Sequence, residues 1–309
     1  MLKTLNFKNL INFILGMFFF ILSINYFFDY DFLSQNIYNL NLLESSYFFG
    51  FIFFLGHILL NFYRWNLLLK NHQNIRYNFQ ANFTPFFSMI LINFIFPFKV
   101  GDIYRVFSTR FIEKKKLISL IIFERILDIL FVLFILYLGV ILFLFRANLE
   151  YLKYFLFISL LFILIFFYCI YLTKKINILN KLKNIIFNFF LTLKINFLYV
   201  VSITLISWIS ELIFFYIIFK KIFNIFYIEE LMISHSSSIL AIILPSGPGL
   251  IGPVDFTLNG ILSFYGHTTF EISTFIYLFH IFIFIICFKI FMIFIFLYPY
   301  KIFKKRILS

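Results

Sequence analysis

The sequence predicts an all-α polytopic membrane protein: about six full transmembrane helices plus two re-entrant or broken helical elements, arranged as an inverted repeat. Two observations carry that fold class. Hydrophobic residues make up 63% of the 309, mean hydropathy is +1.01, and only 13% of residues are charged, so a soluble domain would have no surface to show water. In addition, two short apolar segments, Pro85 to Pro97 and Ile233 to Pro245, stop at proline where membrane should continue. Each is 13 residues long, about 20 Å of helix against a hydrocarbon core of about 30 Å. Backbone groups freed at such a break must be buried in protein or line a wet cavity. Paired breaks in the two halves of a chain point to a transporter-like binding site.

The elements follow in order. Lys3 and Lys8 precede an apolar stretch over 10–28 with no small-residue cleavage site, which reads as a retained first span. A second span covers 47–69, and the first broken element, around 84–105, follows it. Spans over 118–145 and 151–173 flank the middle of the chain. Residues 174–196 form a basic, amphipathic stretch suited to the membrane surface. A span over 197–219, the second broken element around 231–265 and a last span over 272–297 complete the pattern. With no linker or soluble module, residues 1–309 read as one integral-membrane domain, in halves of about 1–146 and 147–309.

Loop charges set the orientation. With the N-terminus inside, eighteen Lys and Arg fall on the cytoplasmic side, including Lys70, Arg76, Arg110, Lys114 to Lys116 and Lys301 to Arg306. Only four, Arg146, Lys153, Lys220 and Lys221, fall outside. The expectation is a multi-pass protein of the cell inner (plasma) membrane with both termini cytoplasmic. That count requires each broken element to return to the side it entered from.

Charges inside the apolar stretches are the functional signal. Asp102, Glu124, Asp128, Glu211 and Asp255 lie within or at the edge of them and must face protein, water or a cation. Lys99 and Arg105 flank Asp102, Arg125 adjoins Glu124, and Arg64 sits low in the second span. Glu124 and Asp128 are four apart on one helical face. Two readings stay open: buried ion pairs that hold helices together, or a cavity for an anionic head group. Lys99 and Arg105, at a helix break, favour the second, because freed backbone N–H groups and paired cations attract a phosphate. Arg64, Lys99, Asp102, Arg105, Glu124, Arg125 and Asp128 are therefore the expected head-group residues. Pro97, Gly101, Pro245, Gly247, Gly249, Gly252 and Asp255 define the broken elements.

Other residue types say less. Cys169 and Cys287 read as small core hydrophobes, and His57, His235 and His280 as hydrogen-bonded histidines without metal-site spacing. Ser234 and Ser236 to Ser238 either satisfy freed backbone groups or line a polar cavity. The run from Gly247 to Gly252 lacks the lysine and hydroxyl of a nucleotide loop. No metal, no cofactor and no nucleic-acid partner is expected. The 54 phenylalanines reflect the coding bias of an AT-rich genome.

Two blocks resemble a known family. Asn93, Pro97, Gly101, Asp102 and Arg105, followed by Glu124-Arg125 and Asp128, are similar to the N-x-x-x-P-x-x-x-G-E/D-x-x-R … E-R-x-x-D signature of the lysylphosphatidylglycerol synthase transmembrane family. The run Pro245 to Gly252 resembles its second block, with Asp255 near the usual glutamate and Pro253 interrupting. The Arg64-Trp65 pair fits as well. The resemblance implies a flippase-like domain that moves an anionic, aminoacylated or polyprenyl-phosphate-linked lipid between leaflets for cell-envelope biogenesis. It resembles the stand-alone form, without the aminoacyl-transferase domain. The alternatives are an integral-membrane transferase, or an accessory protein in polyprenyl-phosphate and glycan assembly. An enzyme would need a soluble-donor site, and no loop exceeds about 25 residues, so a non-enzymatic role is favoured. Expected partners are an anionic phospholipid or polyprenyl phosphate, and, among proteins, a second copy or an envelope-biosynthesis enzyme.

Overall fold

A computed structural model describes residues 45–70, 79–96, 99–109, 112–147, 197–223, 226–242, 244 and 251–297. The expected spans over 10–28 and 151–173, the basic stretch 174–196, Cys169, Pro97, Pro245, Gly247 and Gly249 lie outside the described residues. Within them the chain is all-helical: α1 (Ser45–Lys70), α2 (Phe79–Ile95), α3 (Val100–Ser108), α4 (Lys114–Ala147), α5 (Phe197–Ile222), α6 (Ile228–Ala241), α7 (Pro253–Phe264) and α8 (Thr269–Leu297). Four of these, α1, α4, α5 and α8, are long and apolar enough to cross a membrane, matching four of the six expected spans. One order occurs twice: a long helix, two short ones and another long one.

The long helices pair through small residues. Helices α1 and α5 run antiparallel, with Gly50 against Phe214 and Ile217 and Gly56 against Ser210. The Ser210 hydroxyl donates to the Phe53 carbonyl at 2.7 Å. Close backbone approach and side-chain hydrogen bonds are what hold helices together in lipid, where burial of apolar groups gives no net drive. Helices α4 and α6 are likewise antiparallel. A Cβ at Gly139 would come within 3.0 Å of Met232 and Ile233, and Arg146 meets Glu229 at 3.1 Å. A broad apolar stripe of α4, including Ile122, Ile126, Leu130 and Phe134, stays exposed.

Two aromatic cores lock this frame. Phe214, Phe215, Phe219, Phe275, Phe279 and Phe282 join α5 to α8. Phe62, Trp65, Phe86, Phe87, Leu117 and Leu120 join α1, α2 and α4. The second core corrects one boundary. The first broken element was expected to start at Pro85, but α2 begins at Phe79 and runs through that proline. Phe83, Phe86 and Phe87 pack edge-on or tilted against Phe62, which offsets the backbone hydrogen bond that Pro85 removes. The second short helix similarly starts at Ile228, ahead of the expected Ile233.

Candidate functional site

The first break is a tight hairpin. Helix α3 folds back on α2 so closely that a Cβ at Gly101 would overlap the Met89 carbonyl oxygen and lie 2.7 Å from Asn93 Oδ1. Gly101 N donates to that same Asn93 oxygen at 2.8 Å, so a side chain of α2 caps α3 from outside. Lys99, just before α3, is held left-handed at φ 51°, a conformation that costs a non-glycine residue about 1–2 kcal/mol. The helix start is not vacant, however. Asp102 stands in its first turn and Asn93 takes a backbone N–H, so attraction for an anion here rests on side-chain cations rather than on freed backbone groups.

Three arginines and three carboxylates interlock beside the hairpin. Arg64 on α1 forks onto Asp128 at 2.7 and 3.2 Å and reaches Glu124 at 3.0 Å and the Thr204 hydroxyl at 3.0 Å. Arg105 on α3 donates to Glu124 at 2.6 Å, and its guanidinium lies 4.0 Å over the Trp65 ring. Arg125 on α4 forks onto Asp102 at 2.9 and 3.1 Å and touches Asp128 at 3.4 Å. Trp208 on α5 donates its indole N–H to Asp128 at 3.2 Å. Four helices thus converge on one charged knot, with Arg105 0% and Glu124 2% exposed. In such surroundings an unpaired charge is far more costly than a paired one.

A cavity of about 600 Å³ opens against this knot. Arg64, Lys99, Glu124, Arg125 and Asp128 form its charged wall, while Phe86, Ile90, Phe94, Val132, Phe279 and Ile283 supply its apolar side. Asp102 and Arg105 lie behind that wall. Arg105 was expected to grip a head group directly; it faces Glu124 and Trp65 instead, its Nε and Nη1 without a hydrogen-bond partner among the described residues. Among those residues, Lys99 is the cavity-lining cation that no carboxylate ion-pairs.

The second break repeats the logic at the start of α7. Gly252 takes φ 123°, Pro253 opens the helix, and Asp255 accepts a hydrogen bond from Gly252 N at 2.9 Å. Asp255 and Asp102 each stand three residues past their helix cap. Asp255 also meets His280 Nε2 on α8 at 2.6 Å. The interruption at Pro253 is thereby resolved, because proline is favoured in the first turn of a helix. Asp255 lies apart from the arginine knot and does not line the cavity.

Sequence reasoning missed Thr204, Trp208 and the capping role of Asn93, which enter from other helices with no local signal. It also kept Glu211, His57 and His235 apart. They meet beside the same cavity, which His57 and Glu211 line and His235 does not: Glu211 Oε2 lies 3.6 Å from His57 Nδ1 and 3.8 Å from His235 Nε2. Of the three histidines expected to be hydrogen-bonded, His57 and His280 are; neither ring nitrogen of His235 has a partner among the described residues.

Residues 10–290 match the family model described as "Lysylphosphatidylglycerol synthase TM region". No curated protein and no solved structure matches the chain.

Proposed function

From the chain's membership of the lysylphosphatidylglycerol synthase transmembrane-region family, which makes it a multi-span membrane protein with a membrane-lipid-related, flippase-like role, we propose that it moves a phosphate-bearing lipid between leaflets. One observation carries the reading: a single cavity has a cationic wall at Lys99, Arg64 and Arg125 and an apolar side of Phe, Ile and Val. That pairing fits a molecule with an anionic head and a hydrocarbon tail, and the apolar side has no counterpart in a soluble anion. Lys99 and Arg125 contact the phosphate; Asp102, Glu124 and Asp128 hold the arginines in place, and Arg105 positions Glu124. Arginine's planar fork is tied up by carboxylates here, so Lys99, a point charge, supplies the attraction that the lipid neutralises.

The translocase reading needs two gates of opposite sense. The repeated order of long, short, short and long helices, with Asp102 and Asp255 at matching positions, supports an inverted repeat with six spans. The excess of basic residues on one side of that scheme, eighteen against four, supports cytoplasmic termini and a plasma-membrane location. The transferase reading is weaker, because the carboxylates that would serve as its base are each held by arginine.

The test uses purified protein in phosphatidylcholine vesicles carrying a trace of fluorescent phosphatidylglycerol. Accessibility of the label to dithionite from outside reports transbilayer movement. Wild type should speed bleaching of the inner-leaflet pool, and Lys99→Gln should abolish most of that gain. Protein-free and wild-type vesicles bleaching alike would end the proposal for this lipid class.

A further inference from the structure

Glu211 stands fourteen residues into the 26-residue helix α5, about 21 Å along it, and is buried. A bare carboxylate at that depth needs a compensating positive charge. No arginine or lysine ion-pairs it among the described residues: Arg64 and Arg125 are spent on Asp128, Glu124 and Asp102, and Lys99, on the same cavity, makes no ion pair with it. Only imidazoles face it, His57 from α1 and His235 from α6. His57 is fully engaged, with Asn61 Nδ2 at 2.9 Å from one ring nitrogen and Ser207 at 3.0 Å from the other. His235 and Glu211 Oε2, both buried, have no hydrogen-bond partner among those residues. The three groups do not form a metal-binding cluster. The compensating charge left is a proton.

We infer that Glu211 and His57, which line the cavity, and His235 behind them form a proton-binding site, and that its occupancy follows the position of α6. One proton neutralises the cluster whether it rests on the carboxyl group or on an imidazole. His57 and Glu211 sit on the tightly packed α1–α5 pair, whereas His235 belongs to α6, which packs on α4. The site therefore straddles a seam between two helix pairs. An α6 shift of about 1–2 Å, of the size seen in switching proteins, closes or opens the gap between His235 and Glu211. With the gap closed the proton is shared and shielded; with the gap open, water reaches the carboxylate and takes it. Other titratable or charged groups facing this space are Arg64 from α1, Glu124, Arg125 and Asp128 from α4, Cys287 from α8 and Lys99 before α3; the cavity-lining residues of α2 carry none. Proton binding stands on this geometry alone, while coupling it to lipid movement rests on the translocase reading.

Trp208 offers a local reporter. Its ring lies 5.4 Å from that of His57 and 6.2 Å from that of His235, and Trp65 is the only other tryptophan. In the full chain in phosphatidylcholine vesicles, fluorescence should show a titration step within the pH range over which the protein stays folded. The step should persist in Trp65→Phe and vanish in Trp208→Phe. Glu211→Gln should remove or shift it, and His235→Gln should shift it if the glutamine variant folds poorly. No step in wild type, or an unchanged step in both variants, overturns proton binding. Coupling is read separately, by imposing a pH gradient during the labelled phosphatidylglycerol assay. The initial rate should change several-fold in wild type and stay flat in whichever of the two variants folds. A gradient-insensitive wild type overturns coupling. Wild type that titrates but moves no lipid refutes the translocase reading and leaves the proton site intact.

Discussion

Replacing Gly101 by alanine tests the hairpin on which the charged wall depends. The new Cβ would overlap the Met89 carbonyl oxygen and sit 2.7 Å from Asn93 Oδ1 and 2.9 Å from Asn93 Cγ. Forcing a methyl group into a filled site costs about 1–3 kcal/mol. Displacing the Asn93 cap forfeits a further hydrogen bond of about 0.5–1.5 kcal/mol. The gain in helix propensity returns about 0.5–1 kcal/mol, which leaves a net loss of about 0.5–4 kcal/mol. Gly260 is the internal control, because nothing lies within 4 Å of a Cβ built there. Gly260→Ala should therefore stabilise by about 0.5–1 kcal/mol. Thermal unfolding in detergent, followed by circular dichroism, should move the two variants in opposite directions. Adding Asn93→Ala to Gly101→Ala should cost less than the sum of the two single changes, because the truncated side chain relieves part of the clash. If Gly101→Ala melts with wild type, α3 does not fold back on α2 as described, and the placement of Lys99 falls with it.

Other outcomes follow from the knot and the topology. Arg105→Lys should lose the Trp65 stack and weaken the single hydrogen bond to Glu124, lowering stability by about 1–3 kcal/mol in the same melt, while Lys99→Arg should keep lipid movement; the reverse order would refute the division of roles. Glu124→Gln strips the carboxylate from two buried arginines and should cost about 3–5 kcal/mol, seen as lost folded yield. Asp128→Asn should behave similarly, and either variant recovered at wild-type yield but without lipid movement would mark its carboxylate as functional instead. Single cysteines in place of the exposed Glu113 and Thr268 should label from opposite sides of the membrane in intact cells; same-side labelling would end the inverted-repeat proposal.

Much of this was legible in the sequence because lipid enforces simple rules. A run such as Lys114–Ala147 admits no reading but a long helix, and the charges within it had to find partners. Arg64, Asp102, Glu124, Arg125 and Asp128 could be named before any coordinates, since each is costly in hydrocarbon unless paired. Their pairing scheme was not legible. That Arg105 would turn to Trp65, or that Trp208 and Thr204 would join from α5, depends on how helices far apart in the chain cross. Glu211, His57 and His235 are separated by many residues, and no periodicity links them. Helix ends were harder still: Pro85 looks like a start, and only the Phe62, Phe83, Phe86 and Phe87 cluster explains why α2 begins before it.

The balance within the knot has a consequence for how a ligand arrives. Arg64, Arg105 and Arg125 against Asp102, Glu124 and Asp128 sum to zero within a few ångströms, and fields from cancelling charges fade quickly with distance. Lys99 alone adds an unbalanced charge to the cavity wall. Such a site has little power to steer solutes from bulk water, and added salt, which screens exposed charges over about 8–10 Å, has little to act on. On the proposed translocase reading, selection is then made on contact, after sideways diffusion within a leaflet has brought a head group to the cavity.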